Sequence, residues 1–484
     1  MASPGQLYVG GVWSSPTAGT TIDVVSPHTE EVIATVASAG PGDVDRAVAG
    51  ARLAFDEGPW PRLDPAERIA AVRRLAELYA GRRKEMAALI TAEMGAPASF
   101  SRFAQATLPM MLLNTFCDIA ESYEWEGTRH GAYGEDLILR QEPTGVVVAI
   151  VPWNMPQFLI AGKLAPALLA GCPIIIKPAP ETPLDALLLA ELVDELGLPP
   201  GLVSVLPGGR EVGELLVGHP GVDKVAFTGS TAAGRQVAAT CGASLTRVSL
   251  ELGGKSAAIV LDDADPYLVA EGVRVAGLMN SGQACVAQTR VLVPRSRYDE
   301  YLDALASMVA DLPMGDPTDR AVEIGPLVTQ RQQERVRGFI NRGEQEGARL
   351  VVGGAGQPDG LDRGWYVQPT LFADVDNGMD IARQEIFGPV LSVIPYGNGD
   401  EAVRIANDSD YGLSGSVWTG DTDRGLDVAR RVRTGSFGVN QPYSMDPAAP
   451  FGGMKASGMG RELGREGLEG YLEVQAISVA PPTS

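Results

Sequence analysis

The feature that most constrains the fold is an alternation of short apolar runs and helical patterns between residues 145 and 262. Strands that are apolar throughout are buried on both faces, and the helices between them provide the cover. The sequence therefore predicts an α/β fold with a parallel, doubly wound sheet, which binds ligands beyond the carboxyl ends of its strands. The predicted strands here are Val146–Val151, Pro173–Lys177, Leu202–Leu206, Lys224–Phe227 and Arg247–Leu250, and the predicted helices include Phe158–Ala170, Pro183–Leu196 and Thr231–Cys241.

The regions on either side of this alternation predict further units. A chain of 484 residues is too long for one hydrophobic core. A second alternating series, from about 255 to 456, predicts a second α/β domain with strands such as Ala257–Leu261. The N-terminal region predicts a strand at Gln6–Trp13 and a long helix at Asp64–Gly95. The polar, β-like segment 124–143 is an excursion from the core, and Leu468–Val479 is predicted as a terminal strand.

Charge and cysteine content exclude several classes of partner. The chain has 39 Lys and Arg against 60 Asp and Glu, a formal net charge of −21. Nucleic acids and anionic membranes need a basic footprint, so neither is expected to bind. The four cysteines lack CxxC spacing, so no disulfide framework or metal site is indicated. The first residues have no basic or apolar signal region, and we expect a cytoplasmic protein.

One cysteine has surroundings suited to chemistry. Cys285 follows a polar turn that contains Gly282, and its neighbours Ala284 and Val286 are small. Small neighbours leave the sulfur accessible, and nearby backbone N–H groups favour a thiolate. A lone cysteine is just as often a small buried hydrophobe, so the local sequence leaves both interpretations open.

A carboxylate lies 34 residues before this cysteine, at the end of a predicted strand. Glu251 stands in an apolar run, where burial is costly without a role. It could be a partner in a structural ion pair. Because Gly253 and Gly254 follow and allow close approach of chain or ligand, a base beside a cavity is the better interpretation. The chain has only three histidines, so a carboxylate must supply any base. A thiol and a carboxylate base suit covalent catalysis at a carbonyl group.

Polar residues follow three other predicted strands. The amide of Asn154 could donate to an oxyanion, and Lys177 could bind ribose hydroxyls or a phosphate. Phe227–Gly234 combines a strand, a tight turn and a helix start, which suits a pyrophosphate, although it is neither GxGxxG nor a P-loop. Each motif alone is equally consistent with an ordinary turn.

Taken together, the motifs resemble those of the aldehyde dehydrogenase superfamily over essentially the whole chain. In chain order they are Trp153–Pro156, Lys177–Pro183, Phe227–Thr231, Leu250–Lys255, Gly282–Cys285, Glu385–Pro389 and Pro450–Lys455. The resemblance implies a Rossmann-like cofactor domain, an α/β catalytic domain and a small β arm used for oligomerisation into a dimer or tetramer. The corresponding residues are 1–123 and 144–254 for the cofactor domain, 255–456 for the catalytic domain, and 124–143 with 468–484 for the arm.

The resemblance also implies roles for individual residues. Cys285 attacks an aldehyde to give a thiohemiacetal and then a thioester, Asn154 stabilises the oxyanion, and Glu251 activates water. Lys163 and Glu462 match positions associated with proton relay, and no metal is implied. The implied cofactor contacts are Val151, Pro152, Trp153, Lys177, Ala179, Pro180, Glu181, Gly209, Gly213, Phe227, Thr228, Gly229, Ser230, Leu252, Gly253, Glu385 and Phe387. The implied substrate contacts are Met155, Phe158, Gly162, Ala284, Val286 and Tyr443.

Two departures from the family pattern affect specificity. Many NAD-preferring relatives carry a glutamate where Pro180 stands, so NAD is expected while NADP remains possible, with Glu181 as a potential substitute. Gly162 replaces a bulky aromatic residue of many relatives, which suggests a roomier substrate entrance. The loop Gln441–Ala449 has no cation to bind a second carboxylate, so we expect an apolar or aromatic aldehyde.

Three alternative functions were weighed against this one. A CoA-acylating aldehyde dehydrogenase generally lacks a carboxylate at the position of Glu251. A non-catalytic protein on the same fold would be expected to have lost Cys285, Glu251 or Asn154, and all three are present. An unrelated cysteine hydrolase would need a histidine in a suggestive context, which the sequence lacks.

Overall fold

The structure, a computed structural model, describes residues 5–442 and 445–479. In chain order its strands are β1 (Leu7–Val9), β2 (Val12–Ser14), β3 (Thr21–Val25), β4 (Val32–Ala37), β5 (Glu126–His130), β6 (Asp136–Pro143), β7 (Val147–Ile150), β8 (Ile174–Lys177), β9 (Val203–Val205), β10 (Lys224–Thr228), β11 (Arg247–Glu251), β12 (Ala257–Val260), β13 (Arg290–Pro294), β14 (Arg349–Val352), β15 (Thr370–Ala373), β16 (Val390–Tyr396), β17 (Tyr411–Gly412), β18 (Gly415–Trp418), β19 (Gly438–Val439), β20 (Met454–Lys455), β21 (Gly458–Met459) and β22 (Leu472–Ser478).

The helices lie mostly between these strands. They are α1 (Pro41–Asp56), α2 (Pro65–Met94), α3 (Ala98–Phe100), α4 (Thr107–Glu121), α5 (Pro156–Ala170), α6 (Leu184–Leu196), α7 (Arg210–Val217), α8 (Thr231–Ser244), α9 (Pro266–Leu278), α10 (Tyr298–Ala310), α11 (Gln330–Gln345), α12 (Asp380–Arg383), α13 (Gly399–Asn407), α14 (Thr422–Arg431) and α15 (Gly464–Glu469). Short 3₁₀ turns lie at Trp60–Arg62, Met279–Gly282 and Arg295–Arg297, and a π-helical turn lies at Ser101–Gln105. Within the described ranges, no helix has both the length and the apolar character needed to cross a membrane.

The first sheet confirms the doubly wound prediction. Its order is β2-β1-β9-β8-β7-β10-β11-β21, and the five strands from β9 to β11 are parallel. These are the five strands that the sequence predicted. The chain order reverses between β7 and β10, and such a switch point leaves a crevice beyond the carboxyl ends of the two strands. Asn154 follows β7 and Ser230 follows β10, so both lie at this crevice.

The second sheet is also mostly parallel. Its order is β14-β15-β16-β13-β12-β18-β19, with only β14 antiparallel to its neighbour. The predicted strand Ala257–Leu261 corresponds to β12. The helix α7 and the strands β14, β15 and β19 were not predicted, because they are short and their burial depends on distant partners.

Two sequence predictions were wrong in detail. The strand predicted at Gln6–Trp13 is a hairpin of β1 and β2, because Gly10 and Gly11 adopt left-handed φ values of 59° and 88° and reverse the chain. The strand predicted at Leu468–Val479 starts inside α15, and β22 begins only at Leu472. Leu468 is fully buried on that helix. The strand β22 then pairs antiparallel with β6, which pairs with β5.

Two helices show how local sequence positions the core. The long helix α2 begins as predicted: the Asp64 carboxylate accepts a hydrogen bond from the Ala66 backbone N–H at 2.8 Å, and Gly95 ends the helix with a φ of 80°. Helix α5 starts at Pro156, directly after Asn154, and all of its residues are buried. Because α5 is buried on every side, it holds the residues before it and Lys163 within it in fixed positions.

Candidate active site

A cavity of about 510 Å³ opens beyond the carboxyl ends of β7, β10 and β11. The first sheet contributes Asn154 and Glu251, and Cys285 closes the cavity from the side of the second sheet. Five of the seven motifs that resembled one family therefore contribute residues to one cavity, whereas Lys177–Pro183 and Pro450–Lys455 lie outside its lining. The residues that line the cavity are Pro152, Trp153, Asn154, Thr228, Gly229, Ser230, Glu251, Leu252, Gly253, Cys285, Arg331, Gln332, Arg335, Glu385 and Phe387.

The turn before Cys285 has an unusual backbone. Asn280, Ser281 and Gly282 have consecutive left-handed φ values of 52°, 58° and 72°. A Cβ atom on residue 282 would overlap the backbone carbonyl of Gly388, so only glycine fits. The Ser281 hydroxyl donates a hydrogen bond to the carbonyl of Gly325 at 3.0 Å, and this bond fixes the turn to a distant loop.

The thiol of Cys285 is free and partly buried. Burial raises the pKa of this thiol to about 12, and the charges of Glu385 and Glu251 add to the effect. The backbone N–H groups of Cys285 and Val286 act in the opposite direction. In this state the thiol is therefore protonated at neutral pH, and a base is needed to form the nucleophilic thiolate.

Asn154 is held by three hydrogen bonds. Its side-chain Nδ2 donates to the carbonyl of Gln283 at 3.1 Å. Its backbone carbonyl accepts from Gln105 Nε2 at 2.8 Å and from Asn280 Nδ2 at 3.0 Å. An amide nitrogen has two N–H groups, so one remains to donate toward the cavity. This arrangement fixes a donor next to the thiol before any ligand binds.

Glu251 is the last residue of β11 and is only 3% exposed. Neither of its carboxylate oxygens has a hydrogen-bond partner among the residues that the structure describes. Burial raises the pKa of this carboxyl well above its usual value, the charge of Glu462 raises it further, and the charges of Lys163 and Arg461 oppose the shift. A buried carboxyl with unused oxygens and a raised pKa has the properties of a general base.

An ion pair lies behind Glu251. Lys163 Nζ is 2.6 Å from Glu462 Oε1 and donates to Thr228 Oγ1 at 2.7 Å. Both charged side chains are buried. Two backbone hydrogen bonds with Phe451, of 2.6 and 2.7 Å, hold the backbone of Glu462 in place. Buried charges are retained where they are paired, and here the pair also acts electrostatically on Glu251.

A second groove, of about 630 Å³, continues along the sheet and contains Lys177, Gly213 and Ser230. Lys177 is buried, and burial lowers the pKa of its amine to about 8. The Ser230 hydroxyl accepts from the Ala233 N–H at 3.3 Å and so caps α8. A buried cation and a helix N-terminus in one groove are the groups that a dinucleotide phosphate and ribose require, so the residues present fit such a cofactor.

Glu385 and Phe387 come from the second sheet's side of the cavity. Glu385 Oε1 accepts from the Gly254 N–H at 3.0 Å, and burial raises the pKa of its carboxyl to about 7. Phe387 has a left-handed φ of 63°, and its ring meets the Trp153 ring edge-on with centroids 5.3 Å apart. The strained backbone thus aims an aromatic ring at the cavity.

Several predicted residues lie outside these two cavities. Pro180 and Gly209 line a neighbouring groove, and Glu181 is 3.8 Å from Arg331. Val151 and Ala179 are buried, and Tyr443 lies outside the described residues. The remaining predicted substrate contacts belong to an apolar cluster that also packs against Cys285; among them are Met155, Phe158, Ala284 and Val286.

Gly162 leaves less room than the sequence suggested. A Cβ atom on this residue would lie 3.6 Å from Leu463 Cδ2 and 3.9 Å from Glu462 Oε2, which are ordinary van der Waals distances. The side chain of Leu463 therefore occupies part of the space that a bulky residue at position 162 would take.

Sequence reasoning missed four residues of the site. Gln105 anchors Asn154, and Arg331, Gln332 and Arg335 line the cavity from α11. Helix α11 carries these three residues on one face, with Arg331 and Arg335 one turn apart, but nothing in the sequence directs that face to the cavity.

Comparison with known proteins places this geometry in one family. The model of the aldehyde dehydrogenase family matches residues 13–477. The chain belongs to the aldehyde dehydrogenase family. It is an oxidoreductase that oxidises an aldehyde to the carboxylic acid with a nicotinamide cofactor. Both domains of the α/β architecture are those of aldehyde dehydrogenase structures.

The chain is similar over nearly its whole length to several aldehyde dehydrogenases. It is 46% identical to geranial dehydrogenase of Castellaniella defragrans, with 97% of this chain and 98% of the relative covered. An aldehyde dehydrogenase of Mycobacterium tuberculosis in complex with NAD⁺ superposes with a TM-score of 0.97 at 48% identity, covering 99% of each chain. A variant of aldehyde dehydrogenase C of Pseudomonas syringae with NAD⁺ and octanal has a TM-score of 0.95 at 43% identity, covering 99% of this chain and 97% of that one.

Proposed function

We propose that this aldehyde dehydrogenase oxidises apolar aldehydes with NAD⁺, with Cys285 as nucleophile and Glu251 as base. The observation that carries the proposal is the meeting of a free thiol, an unpartnered buried carboxyl and a fixed amide donor in one cavity. Each group supplies one requirement of acyl transfer through a thioester.

The first step joins the Cys285 sulfur to the aldehyde carbon. The thiol proton leaves for a base as the S–C bond forms, and the carbonyl oxygen becomes an oxyanion. The free N–H of Asn154 Nδ2 and the backbone N–H of Cys285 donate to that oxygen. A thiol whose pKa burial raises to about 12 gains most from a base that acts during the attack.

The cofactor site supplies the oxidation. A bound NAD⁺ would supply the hydride acceptor for the oxidation, after which Cys285 would carry the acyl group as a thioester. Lys177 and Glu385 would hold ribose hydroxyls, and the N-terminus of α8 with Ser230 would hold the pyrophosphate. Trp153 and Phe387 would flank the ring that carries the reacting carbon.

The last step is hydrolysis. Glu251 takes a proton from water, the water oxygen attacks the thioester carbon, and the sulfur leaves as the acid forms. Glu462, which is paired with Lys163, lies behind Glu251 and would accept the proton that Glu251 has taken from water. Transfer to CoA instead of water is the less favoured alternative, because the cavity holds a buried carboxyl with two unused oxygens.

The apolar surroundings of Cys285 support the substrate class. Cys285 packs against the large apolar core that also contains Met155, Phe158, Phe451 and Leu463. Relatives named for geranial and crystallised with octanal act on or bind aldehydes of this kind.

The test is NAD⁺ and NADP⁺ reduction with aliphatic, aromatic, terpenoid and semialdehyde substrates, with analysis of the product and with and without CoA. We expect the acid as product and the highest kcat/KM for medium-chain or terpenoid aldehydes. An equal kcat/KM for succinic semialdehyde would contradict the apolar assignment. A CoA thioester as the main product would contradict hydrolysis by Glu251.

We also propose the domain division 1–123 with 144–254, 255–456, and 124–143 with 468–484, in a cytoplasmic homotetramer. The antiparallel sheet of β5, β6 and β22 supports an oligomerisation arm, because it exposes Val474 and Ile477. Four free cysteines suit a reducing compartment. Light scattering of the intact protein and of a Val474→Asp variant tests the assembly, and cell fractionation tests the location.

A further inference from the structure

The cofactor cleft contains a carboxylate that the proposed function does not use. Glu211 is the second residue of α7, is exposed, and lines a groove of about 740 Å³ together with Pro180 and Gly209. This groove shares Glu214 with the neighbouring groove that contains Lys177. The two grooves therefore meet at Glu214, and the ribose that Lys177 is proposed to hold would lie in the groove next to the one that Glu211 lines.

Two carboxylates act on Lys177. The charges of Glu181 and Glu211 both raise the pKa of its amine, against the effect of burial. Pro180, which stands between Lys177 and Glu181 in sequence, contributes neither charge nor a hydrogen-bonding side chain. Glu181 and Glu211 are the carboxylates whose charges act on Lys177, so they are the candidates to meet a phosphate on the ribose that Lys177 would hold.

The two glutamates differ in their partners. Glu181 is 3.8 Å from Arg331, so part of its charge is balanced by a cation on the other side of the cleft. Glu211 takes part in no ion pair among the residues that the structure describes. The nearest arginine in sequence, Arg210, instead donates to Glu214 at 2.7 Å and to Gln236 at 3.1 Å.

The Glu211 carboxylate also lies over the start of its own helix. A Cβ atom on Gly209 would be 2.5 Å from Glu211 Oε1. A carboxylate in this position repels a second anion at the same place, and the repulsion is only partly screened by salt at short range. A carboxylate at a helix N-terminus also stabilises the helix, so Glu211 has two candidate roles, the stabilisation of α7 and the repulsion of a phosphate.

We propose that Glu211 is the residue that excludes a 2′-phosphate, and so selects NAD over NADP in place of Pro180. The inference rests on the proposed cofactor site. A 2′-hydroxyl can accept a hydrogen bond from Lys177 and has no charge for the Glu211 carboxylate to repel. A 2′-phosphate would place a charge of about −2 next to that carboxylate. Discrimination therefore comes from repulsion rather than from an added contact.

The test is equilibrium binding of NADH and NADPH, measured by fluorescence without aldehyde, to the wild-type enzyme and to Glu211→Gln. We expect NADPH to bind at least about tenfold more tightly to the variant, equivalent to about 1.4 kcal/mol, with NADH affinity changed less than about threefold. In the wild type, added salt should screen the repulsion by Glu211 and bring the NADPH dissociation constant closer to that of NADH. In Glu211→Gln, which lacks this charge, added salt should leave the ratio of the two dissociation constants unchanged. A role confined to stabilising α7 would lower the melting temperature of the apoenzyme and leave this ratio unchanged.

Two matched variants remove a neighbouring charge instead. Glu214 lines the same groove but is paired with Arg210. The Glu214→Gln variant should leave the ratio of the NADPH and NADH dissociation constants within about twofold of the wild-type ratio. Glu181→Gln tests the rival: a ratio that shifts there and not in Glu211→Gln overturns the proposal. If Glu211→Gln does not fold, Glu211→Asp, with its carboxylate withdrawn, should shift the ratio in the same direction. An unchanged ratio in every foldable Glu211 variant overturns the inference alone, whereas failure of the wild type to bind either cofactor overturns the proposed function as well.

Discussion

Replacing Glu251 with glutamine should stop the enzyme after one turnover. The substitution preserves size and an acceptor oxygen but removes the ability to take a proton from water. A positioned general base contributes roughly 10²–10⁴-fold to a rate. Neither oxygen of Glu251 has another partner, whereas the nearby Glu462 is paired with Lys163 at 2.6 Å and is not among the described residues that line the cavity, so it is poorly placed to replace Glu251. We therefore expect steady-state kcat to fall by about 10³-fold, or about 4 kcal/mol.

The assay is stopped-flow detection of NADH with acid quenching. Glu251→Gln should release about one NADH per active site and then stall, and mass spectrometry should find an acyl group on Cys285. Glu466→Gln, which removes an exposed carboxylate four residues from Glu462, is the matched control and should turn over normally. A Glu251→Gln enzyme with an unchanged steady-state rate refutes the assignment of the base. A slow first turnover without a burst would show that Glu251 serves the attack step instead.

Three further predictions concern pKa values and stability. The pKa of the Cys285 thiol should fall in Glu251→Gln because a charge that raises it is removed, and the pH dependence of alkylation by iodoacetamide measures this; an unchanged pKa contradicts the reasoning. Gly282→Ala should lose at least about 1–2 kcal/mol of unfolding free energy from the left-handed backbone, measured by denaturant unfolding, and wild-type stability would contradict it. Burial raises the pKa of the buried carboxyls Glu93 and Asp185, the latter to about 7, so the folded state binds more protons and loses stability as pH rises through about 7. In Glu93→Gln the fall in melting temperature between roughly pH 4 and 7 should be smaller, and a fall equal to that of the wild type contradicts the assignment.

The sequence predicted the parts of the site that lie at strand ends. Alternating strands and helices imply a parallel sheet, and the carboxyl ends of parallel strands share one edge. Asn154, Lys177 and Glu251 are therefore predicted to lie at one edge of the sheet. The local sequence singled out Cys285 and the resemblance assigned its role, but its place opposite that edge, in the loop before β13 of the second sheet, was not predicted.

The missed features depend on contacts that no local pattern encodes. Gln105 reaches Asn154 across 49 residues of sequence, through a π-helical turn. The left-handed turn before Cys285 contains Asn280 and Ser281, and its conformation is set by the carbonyl of Gly325 and the loop at Gly388. The backbone propensities of these residues do not predict a left-handed turn, because only tertiary packing stabilises it.

The charges around Cys285 connect the two halves of the reaction. The Glu251 charge raises the pKa of the thiol, and coupling between two titrating groups is mutual, so a thiolate would in turn disfavour the ionised Glu251. The free enzyme therefore avoids having both groups charged. The thiol, whose pKa burial raises to about 12, is uncharged at neutral pH, so it disfavours an ionised Glu251 only when the thiolate forms. In the thioester the sulfur can no longer ionise, so it does not oppose the charge of Glu251 at the hydrolysis step.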